Sequence, residues 1–185
     1  YERAKQGGLD APFMSIYIPS SYQNDPASAK VLADTLIYMI DGIIAAHPDK
    51  FARGDSPEMI ENNFEKGLIS LPMGMENGAP LISLDDIRYY YSKGIRYVTL
   101  THGKDNHICD SSYDTTATWG GLSPYGLKAI AEMNNIGMII DVSHISDKTF
   151  YQVMEHSRAP VLATHSSCRY FTPGWERNMS DEMII

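Results

Sequence analysis

Gly137-Met138-Ile139-Ile140-Asp141-Val142-Ser143-His144 starts on a helix-ending glycine, runs through apolar residues and finishes on polar, titratable groups. Ahead of it, Ser123-Pro124 opens a segment with helical signals that closes at Gly137, and behind it Ser146 caps another that runs to about Ser157. A buried-looking strand held between two helices is the unit of a parallel sheet, covered on both faces and joined by crossover helices.

The same unit recurs along the chain. Apolar, β-rich runs at 13–18, 68–75, 95–101 and 160–164 join 137–142 to make five. Between them, 27–46 carries Val31, Leu32, Leu36, Met39, Ile40 and Ile43 at helical spacing and ends at His47-Pro48. Ser56-Pro57 starts a short helix that closes at Gly67, and Ser83 with Asp86 makes a capping box for a helix ending near Gly94. The alternation predicts an α/β fold with a parallel sheet and right-handed crossovers. Five strands suit a doubly wound sheet, and equally part of an eight-stranded barrel, which typically takes about 250 residues.

The chain has 185 residues, 43% hydrophobic and 21% charged, enough for one domain with a sizeable core. Its 23 acidic groups outnumber 15 basic ones for a net charge of −8, without a Lys/Arg-rich run, which argues against nucleic acid or an anionic membrane surface as partner. No apolar stretch approaches the roughly 20 residues of a membrane helix. Cys109 and Cys168 are too few for a disulfide framework and lack metal-type spacing. The opening at Tyr1 and the close on Met183-Ile184-Ile185, inside what reads as a starting helix, lead us to expect a piece of a longer or processed protein.

Four of the runs finish on a group that can bind metal or move a proton: Glu76, His102, His144 and His165. If each run stays extended, parity puts Gly74 with Glu76, Val98 and Leu100 with His102, Ile140 and Val142 with His144, and Val161 and Ala163 with His165. The carboxyl ends of parallel strands are where α/β proteins build active sites. A lone strand-end histidine is more often a hydrogen-bonded structural residue, but three with a glutamate at one edge favour a metal site. Three such ligands on zinc leave a position for water, which ionises near neutral pH. A metal-dependent hydrolase is the reading of these residues. His47 and His156 sit where a helix carboxyl end favours a cation, and His107 lies in a polar loop. Tyr89, Tyr90 and Tyr91 are expected to cover one helix face with their tips in water, and the ten methionines to fill the core. Asn178-Met179-Ser180 matches a glycosylation acceptor.

At these positions the chain resembles the membrane (renal) dipeptidase family of zinc peptidases. The resemblance runs in order through Gly7-Gly8-Leu9-Asp10, Ser15-Ile16-Tyr17-Ile18-Pro19, Met73-Gly74-Met75-Glu76 and 94–102. It continues through Gly121-Leu122-Ser123-Pro124-Tyr125-Gly126, 141–146, 157–161, His165-Ser166-Ser167 and Arg177-Asn178. It implies a (β/α)8 TIM-type barrel with two zinc ions at its mouth, residues 1–185 forming one catalytic-barrel domain, incomplete at both ends, with strands two to six. It implies Glu76 as the carboxylate bridging the metals and His144 and His165 as further metal ligands. His102 would contact the scissile amide and polarise its carbonyl, and Arg177 would grip the substrate carboxylate. The implied activity is hydrolysis of small dipeptides by a metal-bound hydroxide, with a homodimer allowed. Export, or membrane anchoring through a segment outside these residues, is implied as well. The family's His-x-Asp pair does not precede Gly7, its late-strand aspartate is not among these residues, and Asn77-Gly78-Ala79 follows the glutamate where Gly-Gly-His is common. Two alternatives remain: a related amidohydrolase acting on N-acyl amino acids or lactones, and an inactive fragment or binding protein with open sheet edges that favour association.

Overall fold

The computed structural model describes residues 1–185. In chain order they form α1 (Glu2–Gln6), β1 (Met14–Tyr17), α2 (Pro26–Ala46), β2 (Phe51–Ala52), α3 (Pro57–Glu65), β3 (Ile69–Ser70) and β4 (Met73–Glu76). Then follow α4 (Leu84–Ser92), β5 (Ile95–Thr99), α5 (Pro124–Ile136), β6 (Ile139–Asp141), α6 (Asp147–His156) and α7 (Asp181–Ile184). The helices begin where side chains can satisfy free backbone N–H groups: Asp25, Ser56, Ser123 and Ser146 each cap one, and Ser83 closes the expected capping box with Asp86.

The main sheet has the order β1-β4-β5-β6, all parallel. The 160–164 run extends it by one bridge, Leu162 to Asp141, in which the Val142 amide donates to the Leu162 carbonyl at 2.8 Å and the Leu162 amide to the Ile140 carbonyl at 2.9 Å. Five successive parallel segments therefore line up, as expected of strands two to six in a (β/α)8 barrel. The 68–75 run is two strands rather than one. It breaks at Leu71-Pro72, where proline cannot donate to a ladder, and its first part pairs with β2 in a separate two-stranded ribbon.

The helix-facing side of the sheet is buried, whereas Ser15 and Tyr17 of β1 are exposed on the other side. Ile16, Met73, Met75, Val98 and Ile140 join residues of four helices in one cluster: Ala33 and Ile37 of α2, Ile87 and Tyr90 of α4, Ile130 and Met133 of α5, and Phe150 and Val153 of α6. Tyr90 corrects the expected tyrosine face: it is 1% exposed while Tyr89 is 42% exposed, and Tyr91 stacks on the Arg96 guanidinium 4.2 Å away. Three consecutive helical residues span most of a turn, so they cannot share one face. The methionines divide as well: Met73, Met75, Met133 and Met138 are buried, whereas Met39, Met59 and Met154 are exposed. No helix is long and apolar enough to cross a membrane.

Register brings the carboxyl ends together. Tyr17, Glu76, Thr99, Asp141 and Leu162 form one row across the strands. Two positions before that row, Gly74 pairs with Tyr97 and lies under its ring. A Cβ built there would stand 2.1 Å from two ring atoms, so glycine is what lets Tyr97 fold flat against β4. We expect Gly74→Ala to cost about 1–3 kcal/mol by overpacking, read as a lower urea midpoint at unchanged slope.

Candidate metal centre

Glu76 is the last residue of β4, and its two carboxylate oxygens face different partners. Oε1 lies 3.5 Å from His102 Nε2, 3.4 Å from His144 Nε2 and 3.2 Å from His165 Nε2. Oε2 accepts a hydrogen bond from the Ser15 hydroxyl of β1 at 3.1 Å. The ring nitrogens of His144, and then of His165, hold the Glu76 carboxyl far below the usual carboxylate range despite its partial burial.

All four candidates therefore converge, though not by the strand parity used to group them. β5 ends at Thr99 and β6 at Asp141, so His102 and His144 stand in loops three residues beyond their strands. His144 takes the left-handed conformation, φ 71°, that side chains beyond Cβ disfavour. It is kept there by its carbonyl, which accepts from the Ser112 amide at 2.7 Å and the Ser112 hydroxyl at 3.0 Å. A strained backbone held by its surroundings is characteristic of functional positions.

Ser112 is delivered by the 102–123 loop, which the sequence marked only as polar. Two aspartates organise it. Asp105 accepts from the Ser111 amide at 2.8 Å and the Thr118 amide at 2.9 Å, and Asp110 from the amides of Trp119 at 2.8 Å and Gly121 at 2.7 Å. Asn77, also left-handed at φ 80°, ties the end of β4 to its neighbours: its amide donates to the Ile18 carbonyl at 3.0 Å and its oxygen accepts from Asn106 at 3.2 Å. The Asn-Gly dipeptide was the available signal for that turn.

His102 packs against its neighbours, its ring centroid 4.2 Å from that of His144 and 5.0 Å from that of Tyr17. Burial lowers the pKa of both His102 and His144, which favours the neutral imidazole a metal requires. Arg177 is anchored beside the cluster, donating to the Ser166 hydroxyl at 2.8 Å and to the His165 carbonyl at 2.9 Å. Glu76, Tyr97, Thr164 and His165 line an open cavity of about 440 Å³ with Phe13 and Leu162. His107 is structural, its Nε2 2.8 Å from the Leu81 carbonyl. The Asn178 side chain is also committed, accepting from the Ser167 amide at 3.0 Å and donating to Thr172 at 2.7 Å.

The donor set fits a metal ion. Ligand atoms of Glu76, His102 and His144 lie within 4.8 Å of one another, and His144 Nε2 is 2.9 Å from His165 Nε2. One carboxylate oxygen cannot satisfy three imidazole N–H donors, and two neutral nitrogens face to face repel unless a proton or a cation sits among them. Ligands at zinc distances in a tetrahedron stand about 3.3 Å apart, and the contacts at Glu76 Oε1 are 3.2–3.5 Å. By this measure His144 can join Glu76 around one ion with either His102 or His165.

Comparisons with known proteins agree with this chemistry. The sequence profile of the membrane dipeptidase family, peptidase family M19, matches residues 1–185. An uncharacterized dipeptidase of Schizosaccharomyces pombe is 32% identical over 200 residues, covering 99% of this chain and 47% of its own length. The dipeptidase aclJ of Aspergillus oryzae is 34% identical over 192 residues, covering 100% of this chain and 45% of its own. The crystal structure of the probable dipeptidase PvdM from Pseudomonas aeruginosa superposes with a TM-score of 0.90 at 28% identity, covering 99% of this chain and 49% of that one. The chain thus spans about half the length of the curated relatives it matches. With its profile matched end to end and its relatives above 30% identity, the chain belongs to the membrane dipeptidase family, peptidase family M19.

Proposed function

We propose that these residues are the central part of a zinc dipeptidase, within a single catalytic-barrel domain that binds two zinc ions when complete. The observation that carries the reading is Glu76 Oε1, ringed by three imidazole nitrogens at 3.2–3.5 Å in a chain of a peptidase family. Glu76, His144 and His165 would hold one ion. Glu76 Oε2, turned away to Ser15, is the oxygen that would reach the second. Zinc supplies an acidified water and polarisation of the scissile carbonyl.

The protein's own groups then bind and orient the dipeptide. Arg177, fixed by Ser166 and the His165 carbonyl, presents its remaining N–H groups to the substrate carboxylate in a planar, permanently charged fork. His102, kept neutral by its burial, has one ring N–H to place on the carbonyl oxygen of the scissile amide. The arginine favours substrates with a free carboxylate, small dipeptides among them, over lactones, which lack one; N-acyl amino acids share that carboxylate, and assaying them beside dipeptides separates the two classes.

A second reading exchanges two histidines. Ligand atoms of Glu76, His102 and His144 all lie within 4.8 Å of one another, and on that set His102 would be a ligand and His165 a substrate contact. The two are separated in the full-length protein by zinc content. The primary reading expects His165→Ala to lose zinc and His102→Ala to retain it with a much reduced kcat; the reverse pattern establishes the second reading.

Both readings expect His144→Ala to abolish dipeptide hydrolysis and lower zinc content, and full activity in that variant overturns both. Arg177→Ala is expected to raise KM for dipeptides by about 10- to 100-fold, the loss of a charged hydrogen-bond pair. A C-terminally amidated dipeptide should show no such penalty, because it offers the arginine no carboxylate.

A further inference from the structure

Asp141 stands at the carboxyl end of β6 with no exposed surface. Its Oδ1 accepts from the amides of Ser143 at 3.1 Å and Thr164 at 3.0 Å. Its Oδ2 accepts from the hydroxyls of Thr99 at 2.5 Å and Thr164 at 2.7 Å. The Thr164 hydroxyl also lies 2.7 Å from His165 Nδ1. A threonine hydroxyl has one proton, and a carboxylate oxygen can only accept. The proton therefore points at Asp141, and the remaining contact requires His165 Nδ1 to be the donor. A neutral imidazole carries a single N–H, which leaves a lone pair on His165 Nε2, the atom 3.2 Å from Glu76 Oε1 and 2.9 Å from His144 Nε2.

We infer that Asp141 and Thr164 are positioning residues for the metal centre: through the Thr164 hydroxyl they hold His165 as the Nδ1–H tautomer and aim its Nε2 lone pair at the ion. The inference rests on the metal-site reading above and adds the residues that set a ligand's orientation. It accounts for a buried carboxylate that forms no ion pair with a lysine or arginine, while His165 Nδ1 lies 3.9 Å from its Oδ2. It also accounts for a threonine that gives both its amide and its hydroxyl to one side chain.

The test uses the full-length protein with Thr164→Val, which removes the hydroxyl, and Thr164→Ser, which restores it. Two quantities are read: the His165 tautomer in metal-free protein, from histidine ring ¹⁵N shifts, and zinc affinity, from competition with a chromophoric chelator. Wild type should show Nδ1–H. Thr164→Val should admit the Nε2–H form and bind zinc about 10- to 100-fold more weakly, as loss of such an outer partner does elsewhere. Thr164→Ser should return both to near wild type. A wild-type His165 protonated on Nε2 overturns the inference whatever the variants do. So does a folded Thr164→Val protein with unchanged tautomer and affinity, or equal weakening in the valine and serine variants. If wild type holds the Nδ1–H tautomer but binds no zinc, the metal reading fails while the tautomer assignment stands.

Discussion

Asp141 takes its charge into the protein without an ion pair to a lysine or arginine, so the four hydrogen bonds it accepts have to offset the cost of removing it from water. Those four come from three successive strand positions: Thr99 at the end of β5, Ser143 just past β6, and Thr164 at the end of the 160–164 run. The run at 160–164 has a single bridge to the sheet, yet its end is bound to Asp141 by two donors. A loss at Asp141 would therefore release the segment that carries His165, and with it Ser166 and the anchor of Arg177. Burial makes this clamp unforgiving, because a half-satisfied carboxylate in a dry site is worse than none. That is why the geometry of the candidate centre depends on it.

The other side of the centre is held by a different device. The left-handed backbone of His144 costs energy that only its surroundings can repay, and the repayment arrives through the Ser112 amide and hydroxyl. Ser112 is in place because Asp105 and Asp110 fold the loop around their own carboxylates. Strand ends alone would put a glutamate and three histidines near one edge. A loop braced by Asp105 and the buried Asp110 brings His144 within reach of Glu76. The centre is thus assembled from the sheet on one side and a long connection on the other.

The strands, the helix caps and the four converging side chains could be read in the sequence because each rests on a local rule. Ser83 with Asp86 and Ser123-Pro124 specify helix starts within four residues, and apolar runs mark strands. Glu76 and the histidines were legible as residue types at strand ends, and it is this that survives. The parity grouping did not carry over, since β5 and β6 stop three residues before His102 and His144. Tyr90 was misplaced for a related reason: three adjacent aromatics on a helix point in three directions, and only packing decides which is buried. Ser15, Asp141 and Thr164 gave no signal, because their roles are hydrogen bonds across strands whose register the sequence does not print.

The departure after Glu76 illustrates what family likeness leaves open. Asn77-Gly78-Ala79 replaces a common Gly-Gly-His, and the histidine of that pattern has no counterpart at Ala79, which is buried. Asn77 supplies the turn instead. It adopts the left-handed conformation that asparagine tolerates best after glycine, and its side chain bonds the Ile18 carbonyl and Asn106 together. Gly78 follows with no room for a side chain, since a Cβ there would stand 2.5 Å from Ile108. The loop is therefore closed by an amide network. Glu76 keeps its place, as its backbone is set by the β4 ladder to β1 and β5 and its side chain by Ser15 and the histidines. The change alters what stands beside the glutamate while sparing the glutamate itself. Such a substitution changes the shape and polarity offered to a ligand before it changes the chemistry of the centre.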